Sequence, residues 1–238
     1  MKFVTLDVES TGLSPTFHEL TEISILNNET MELVSWDIKI RHPERCSKEA
    51  LMITQKTAKE LMSRGRYIEE CIPEVDEFLK SISRDPDEIV SIAHNANFDR
   101  NQLETKWKEN NKVWLANYWL DTMQMSKRFT KQILGIQKTS HALSNMIKLA
   151  GINEIPGAHA SLVDVKNTFA LYLHMQQRGL KNTEFIKLSS TLMNDLTGKK
   201  TITKQSKKID DKEISNVMES LDSNDLSDSF QPDDDEDD

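Results

Sequence analysis

The stretch Lys2-Phe3-Val4-Thr5-Leu6-Asp7-Val8-Glu9-Ser10-Thr11-Gly12-Leu13 decides the reading of this 238-residue chain. Its run Phe3-Val4-Thr5-Leu6 predicts a buried strand. In a strand, residues i and i+2 project from the same face. Asp7 and Glu9 therefore stand side by side at the strand's carboxyl end, just before a turn at Gly12. Two carboxylates held that close repel unless a cation lies between them. Hard oxygen ligands of this kind suit Mg²⁺ or Mn²⁺. The pattern Asp-x-Glu is common, and alone it more often describes two solvated acids.

Two later segments sharpen the reading. Ile89-Val90-Ser91-Ile92-Ala93 predicts a second buried strand that runs into His94-Asn95-Ala96-Asn97-Phe98-Asp99, with a helical pattern behind it. Gly157-Ala158-His159-Ala160-Ser161-Leu162-Val163-Asp164 opens another helix. Asp7-x-Glu9, Asn95-x-x-Phe98-Asp99 and His159-x4-Asp164 follow in order at wide spacing. Together they resemble the three motifs of the DEDDh family of 3′–5′ exonucleases, which includes polymerase proofreading subunits, oligoribonuclease and tRNA-trimming ribonucleases. Asp7-Val8-Glu9-Ser10-Thr11-Gly12-Leu13 is similar to the family's Asp-x-Glu-Thr-Thr-Gly-Leu. Ile53-Thr54 sits where proofreading subunits carry a Gly-Ile-Thr turn, with Met52 in place of that glycine. Asp121-Thr122 resembles the family's Asp-Thr before a helix. The resemblance covers roughly residues 2–178.

The resemblance implies an α/β ribonuclease-H-like exonuclease fold, with a mixed central sheet flanked by helices and a flexible acidic C-terminal tail. It implies two bound divalent ions, Mg²⁺ or Mn²⁺. Asp7, Glu9 and Asp164 would hold the ion that binds the attacking water, with Asp7 bridging, and Asp99 would help position the second ion. His159 would be the general base, a task suited to an ordinary imidazole pKa of about 6.5. The turn Ser10, Thr11, Gly12 and Leu13, with Asn95 and Phe98, would meet the terminal nucleotide, and Gly12 would let backbone approach the ligand closely. Read without the family, Asp99 is also a helix cap, Asp164 a solvated helix residue, His159 a surface histidine and Phe98 a core residue.

Organisation along the chain agrees with one domain and appendages. Strands are expected at 2–6, 20–26, 31–40, 88–93 and 115–120. Asn27-Asn28-Glu29 marks a hairpin between the second and third. Helices are expected near 57–63, 68–83, 98–110, 122–129, 140–150 and 159–178. Thr57 and Glu60 form a capping-box pattern, and Gly151 and Gly179 act as helix stops. This sets a catalytic-type domain over 1–179. A helical and Lys-rich linker is expected over 180–218, with a helix at 183–194, and an acidic, disordered tail over 219–238. The methionines and Trp107, Trp114, Trp119 and Phe129 are expected in the core.

Composition bounds the function. The formal charge is −9, but residues 219–238 hold ten acids and no Lys or Arg, leaving 29 acids against 30 bases elsewhere. The body is thus compatible with a nucleic-acid substrate. Cys46 and Cys71 are too few for a disulfide framework. No apolar run approaches the ~20 residues that span a bilayer, and acids stand where a signal peptide needs an apolar stretch. The expected setting is intracellular and cytoplasmic, without a membrane partner. The expected activity is removal of nucleoside 5′-monophosphates from a single-stranded 3′ end, with DNA preferred. The tail suggests a replication or repair partner. The competing readings are a non-catalytic nucleic-acid-binding or polymerase-tethered module on the same fold, and an exoribonuclease or oligoribonuclease.

Overall fold

The computed structural model describes residues 1–155 and 160–180, and the strands Glu184–Lys187 and Gln205–Lys208. At its centre lies β1 (Lys2–Ser10), antiparallel to β2 (Leu20–Asn27), which pairs in turn with β3 (Leu33–Asp37). On its other side β1 runs parallel to β4 (Ile89–Ala93), and β4 parallel to β5 (Tyr118–Asp121). β6 (Glu184–Lys187) and β7 (Gln205–Lys208) extend the sheet, giving the order β3-β2-β1-β4-β5-β6-β7.

Alternation along β1 sends its residues into two different layers. Val4, Leu6 and Val8 bury against Cys71, Ile72, Val75 and Leu79 of α3 (Ile68–Ile82) and Leu103 and Trp107 of α4 (Ala96–Glu109). Phe3 faces the opposite layer, with Phe129 of α5 (Thr122–Gln132), Met146 and Ile147 of α6 (Leu143–Ala150) and Phe169 of α7 (Ser161–Gln177). The first layer closes on a tryptophan cluster in which Trp107 and Trp114 meet edge to face, their centroids 5.0 Å apart. Trp107 Nε1 donates to Asp76 Oδ1 at 2.7 Å, so this large side chain buries no orphan donor.

Local signals hold where they were strong. Thr57 and Glu60 form the expected capping box at α2 (Ala58–Ser63). Gly151 closes α6 in the left-handed conformation at φ 69°. Cys46 and Cys71 are free thiols.

Three expectations are corrected. The strand expected over 31–40 is shorter: β3 ends at Asp37, and Ile38 forms an isolated bridge with Arg66. Residues 48–54 form α1 (Lys48–Thr54), so Ile53-Thr54, which the resemblance aligns with a Gly-Ile-Thr turn, ends a helix. Ser47 caps it by accepting from Ala50 N at 3.0 Å, but Met52 and Ile53 stay exposed, so no buried apolar face betrays it. Residues 184–187, expected to be helical, are strand, and so are 205–208 within the expected linker. β6 pairs with Tyr118 and Trp119 of β5. The outer edge of β5 needs partners for its backbone groups, and this demand overrides a weak local helical pattern. The sheet therefore continues past residue 179. The remainder of 181–218 and the acidic 219–238 stretch lie outside the described residues. Among the described residues no helix is long and apolar enough to cross a membrane.

Candidate active site

The face of β1 that carries Phe3 continues through Thr5 to Asp7 and Glu9 at the strand's end. There α7 lies across β1 and β2. Asp164, in the first turn of α7, comes down onto the two carboxylates. Asp7, Glu9 and Asp164 each offer an oxygen, and these atoms lie within 4.8 Å of one another. Residues 157 positions apart in sequence thus meet at one point.

Asp99 reaches the same place from the other layer. The parallel ladder between β1 and β4 runs only to Thr5 and Ile92. Beyond it the backbone of β1 needs another acceptor on that side. Asp99 Oδ1 supplies it, accepting from Val8 N at 3.1 Å. The side chain is 1% exposed. Asn95 starts α4 in the left-handed conformation (φ 71°, ψ 50°), which Asn tolerates better than most residues. Its N–H donates to Asp121 Oδ1 at 3.2 Å, and Asp121 also caps α5 by accepting from Met123 N at 2.8 Å. Asp121 therefore ties the starts of α4 and α5 together.

Electrostatically the cluster is frustrated. Burial, then repulsion from Asp99, Glu9, Asp164 and Glu22, pushes the Asp7 carboxyl well above its usual range. Burial, with Asp164 and Glu22, raises Glu9 to about 8 against an opposing pull from Lys56. Burial raises Asp99 to about 8, partly offset by the hydrogen bond from Val8. Carboxylates concentrated this way are stable as anions only beside compensating positive charge. An all-oxygen, closely spaced donor set fits a hard divalent cation.

The turn after β1 is built from its own side chains. Ser10 Oγ donates to Gly12 O at 2.7 Å, and Gln102 Nε2 donates to the same carbonyl at 3.2 Å. Thr11 Oγ1 accepts from Glu19 N at 2.9 Å. His18 Nδ1 accepts from Ser14 N at 3.0 Å, which seats the imidazole beneath Gly12. A Cβ at Gly12 would lie 2.4 Å from His18 Nε2, so the close approach requires glycine. Ser10 and Thr11 are thus buried structural donors and acceptors, whereas Leu13 projects from the turn 83% exposed. Phe98 is partly buried and packs on the tryptophan layer. His159, proposed from sequence as the base, lies outside the described residues.

Several neighbours of the site escaped sequence reading. Glu22 stands directly across from Glu9 in the β1–β2 register and Ser24 across from Asp7. Ser161 Oγ donates to Glu22 Oε1 at 2.8 Å and lies 2.6 Å from Ser24 Oγ. Lys56 Nζ pairs with Glu22 Oε2 at 2.7 Å. The one signal was the alternation Glu22-x-Ser24 inside an apolar strand, whose meaning appears only once the antiparallel register is known. His94, by contrast, is spanned between Thr122 Oγ1 at 2.9 Å and His141 O at 2.8 Å, a packing role.

Beside Asp121, between α4 and α5, lies a cavity of about 500 Å³ at the carboxyl end of β5. Arg100, Lys127 and Arg128 line it, with Asn97 and Gln124. Among the described residues, Arg100 Nε and Trp119 Nε1 are buried there without a hydrogen-bond partner.

Comparison with known proteins agrees with this architecture. The RNase T exonuclease family model matches residues 4–172. A DNA polymerase III of PolC type from Thermotoga maritima is 30% identical over 196 residues, which is 80% of this chain and 13% of the relative. The chain thus spans only about an eighth of the polymerase relatives it matches. Among solved structures, E. coli exonuclease I in complex with a dA16 oligonucleotide has a TM-score of 0.61 at 17% identity, covering 75% of this chain and 41% of that one. The nuclease domain of 3′hExo, a DEDDh family member bound to rAMP, has a TM-score of 0.59 at 18% identity, covering 75% and 93%. With most of its length matched by that family model, the chain belongs to the RNase T exonuclease family, and it shares its fold with these nucleases.

Proposed function

We propose that this chain is a metal-dependent 3′–5′ exonuclease that releases nucleoside 5′-monophosphates from single-stranded 3′ ends, with DNA as the preferred substrate. The observation that carries the proposal is the meeting of Asp7, Glu9 and Asp164 within 4.8 Å at the end of β1, with Asp99 buried alongside. In this reading Asp7, Glu9 and Asp164 would hold one divalent ion, and Asp7 with Asp99 would help hold a second. Bound ions of this kind supply charge neutralisation at phosphorus and lower the pKa of water. His159 takes the proton of the attacking water. The Gly12 turn supplies backbone, and Leu13 an apolar surface, for the last nucleotide. The basic residues Arg100, Lys127 and Arg128 suit a phosphodiester backbone.

The PolC-type relatives support a setting beside a polymerase, because the stretch they share with this chain lies within a polymerase. The 3′hExo neighbour, whose structure holds rAMP, supports an RNA substrate as the second reading. One experiment separates these. Matched single-stranded DNA and RNA oligonucleotides, labelled and carrying free or blocked 3′ ends, are incubated with Mg²⁺, with Mn²⁺ or with EDTA. The proposal expects mononucleotide release from free DNA 3′ ends, faster than from RNA, and none in EDTA. Efficient cutting of a circular single strand would refute the end-specific reading. Faster RNA loss would select the exoribonuclease, and binding without cleavage the non-catalytic module.

A further inference from the structure

Glu22 is a fifth carboxylate within electrostatic range of Asp7 and Glu9, yet it does not join their oxygen cluster. Both of its oxygens are committed elsewhere: Oε1 to the Ser161 hydroxyl at 2.8 Å and Oε2 to Lys56 at 2.7 Å. The side chain is 5% exposed and Ser161 is fully buried. Ser161 is the first residue of α7, and Asp164 follows it by three, on the same helical face. The residue before it, Ala160, makes no side-chain cap. The body of α7 packs across β1 and β2, and at its first residue Ser161 adds a side-chain tie to Glu22 and, at 2.6 Å, Ser24. Six residues further on, Asn167 Oδ1 accepts from Ile155 N at 3.2 Å. Lys56 brings the segment between α1 and α2 to the same carboxylate and offsets its charge.

We infer that Glu22 and Ser161 are positioning residues: together they pin the start of α7 to β2 so that Asp164 is held against Asp7 and Glu9, and Glu22 is a brace rather than a ligand. The inference rests on the metal-dependent reading above. Its physical content is that a hydrogen bond outside the donor set decides how well the donor set closes on an ion. Outer partners of metal ligands commonly alter affinity ~10–100-fold when removed.

The test is Mn²⁺ binding to the full chain by titration calorimetry, with kcat and KM on a single-stranded oligonucleotide alongside. Ser161→Ala and Glu22→Ala should each weaken Mn²⁺ binding by roughly 10–100-fold and lower kcat, with KM little changed. Glu22→Gln should restore most of the affinity, because its amide oxygen still accepts the Ser161 hydroxyl. If Glu22 were a ligand, Glu22→Gln would bind as poorly as Glu22→Ala, and the brace would be overturned. Wild-type affinity in Ser161→Ala would overturn it as well. Should Ser161→Ala not unfold cooperatively, Ser24→Ala replaces it. Removing the 2.6 Å contact should weaken binding in the same direction, and unchanged binding counts against the brace. Absence of Mn²⁺ binding in the wild type would sink the metal-dependent reading itself and the brace with it. Wild-type binding matched by every variant would sink the brace alone.

Discussion

The two faces of β1 do opposite work with alternating residues of one strand. Val4, Leu6 and Val8 enter a dry layer of aliphatic side chains and tryptophans. Thr5, Asp7 and Glu9 point the other way, and from Asp7 onward they leave the core for a cluster of mutually repelling acids. The first face stabilises the fold, while the second crowds carboxylates whose charges would repel unless positive charge balances them. A slip of one residue in register would exchange the two sets completely. The pairings to β2 and β4 are therefore functional constraints as much as structural ones.

The largest break in this comparison is Asp7→Ala. It removes the carboxylate central to the proposed ion sites. A metal site commonly supplies several kcal/mol of transition-state stabilisation, so cleavage should fall by ~10³-fold or more, given that each 1.36 kcal/mol is tenfold. In EDTA the same substitution should raise the melting temperature, because it relieves a buried, repelled acid. Calorimetric melts and a labelled-oligonucleotide assay check both halves. Near-wild-type cleavage in Mg²⁺ would end the proposal.

The neighbouring residue should behave in the opposite sense. Leu6 is fully buried on the dry face. Leu6→Ala leaves a cavity and should cost about 2–5 kcal/mol of stability. The protein that remains folded should keep its activity per active site. Denaturant titration together with active-site titration measures this. A stability change under about 1 kcal/mol would show that the layer relaxes into the gap.

This division is legible in part from the sequence alone. Strand period and the paired acids placed Asp7 and Glu9 on one face, and the resemblance brought in Asp99 and Asp164. Glu22, Ser161 and Lys56 were not legible, because their meaning is relational. Glu22 matters through an antiparallel register, Ser161 through a contact 139 residues away in the chain, and Lys56 through a segment with no periodicity. The same limit explains β6: a helical pattern at 183–194 is local, whereas the vacant edge of β5 is a property of the whole sheet.

The acid face should also betray itself in pH dependence. The folded-state values of Asp7, Glu9 and Asp99 are raised, the last two to about 8. The unfolded chain releases these protons near pH 4. A raised folded value contributes stability that is present below the unfolded pKa and lost as pH climbs through the folded one. In EDTA the melting temperature should therefore fall from pH 5 towards pH 9. With saturating Mg²⁺ the decline should be reduced, since the ion replaces the protons, and the stabilisation by metal should grow with pH. Parallel curves with and without metal, measured by differential scanning calorimetry, would contradict a cation site on this face.

The smallest expected effect lies where the acid face meets solvent. Leu13 projects from the turn at the end of β1 with 83% of its surface exposed. An exposed apolar residue adds little to folding, so Leu13→Ala should change stability by no more than about 0.5 kcal/mol. If the side chain meets the last nucleotide of a substrate, its loss removes apolar contact worth ~1–2 kcal/mol. That corresponds to a KM raised roughly 5–30-fold, with kcat nearly preserved. Because Ser10, Gln102 and His18 hold the turn without help from Leu13, the variant should leave Mn²⁺ affinity unchanged. An unaltered KM on short single strands would place the terminal nucleotide elsewhere. A lost Mn²⁺ affinity would show that the turn and the carboxylates are not the separable parts that this geometry implies.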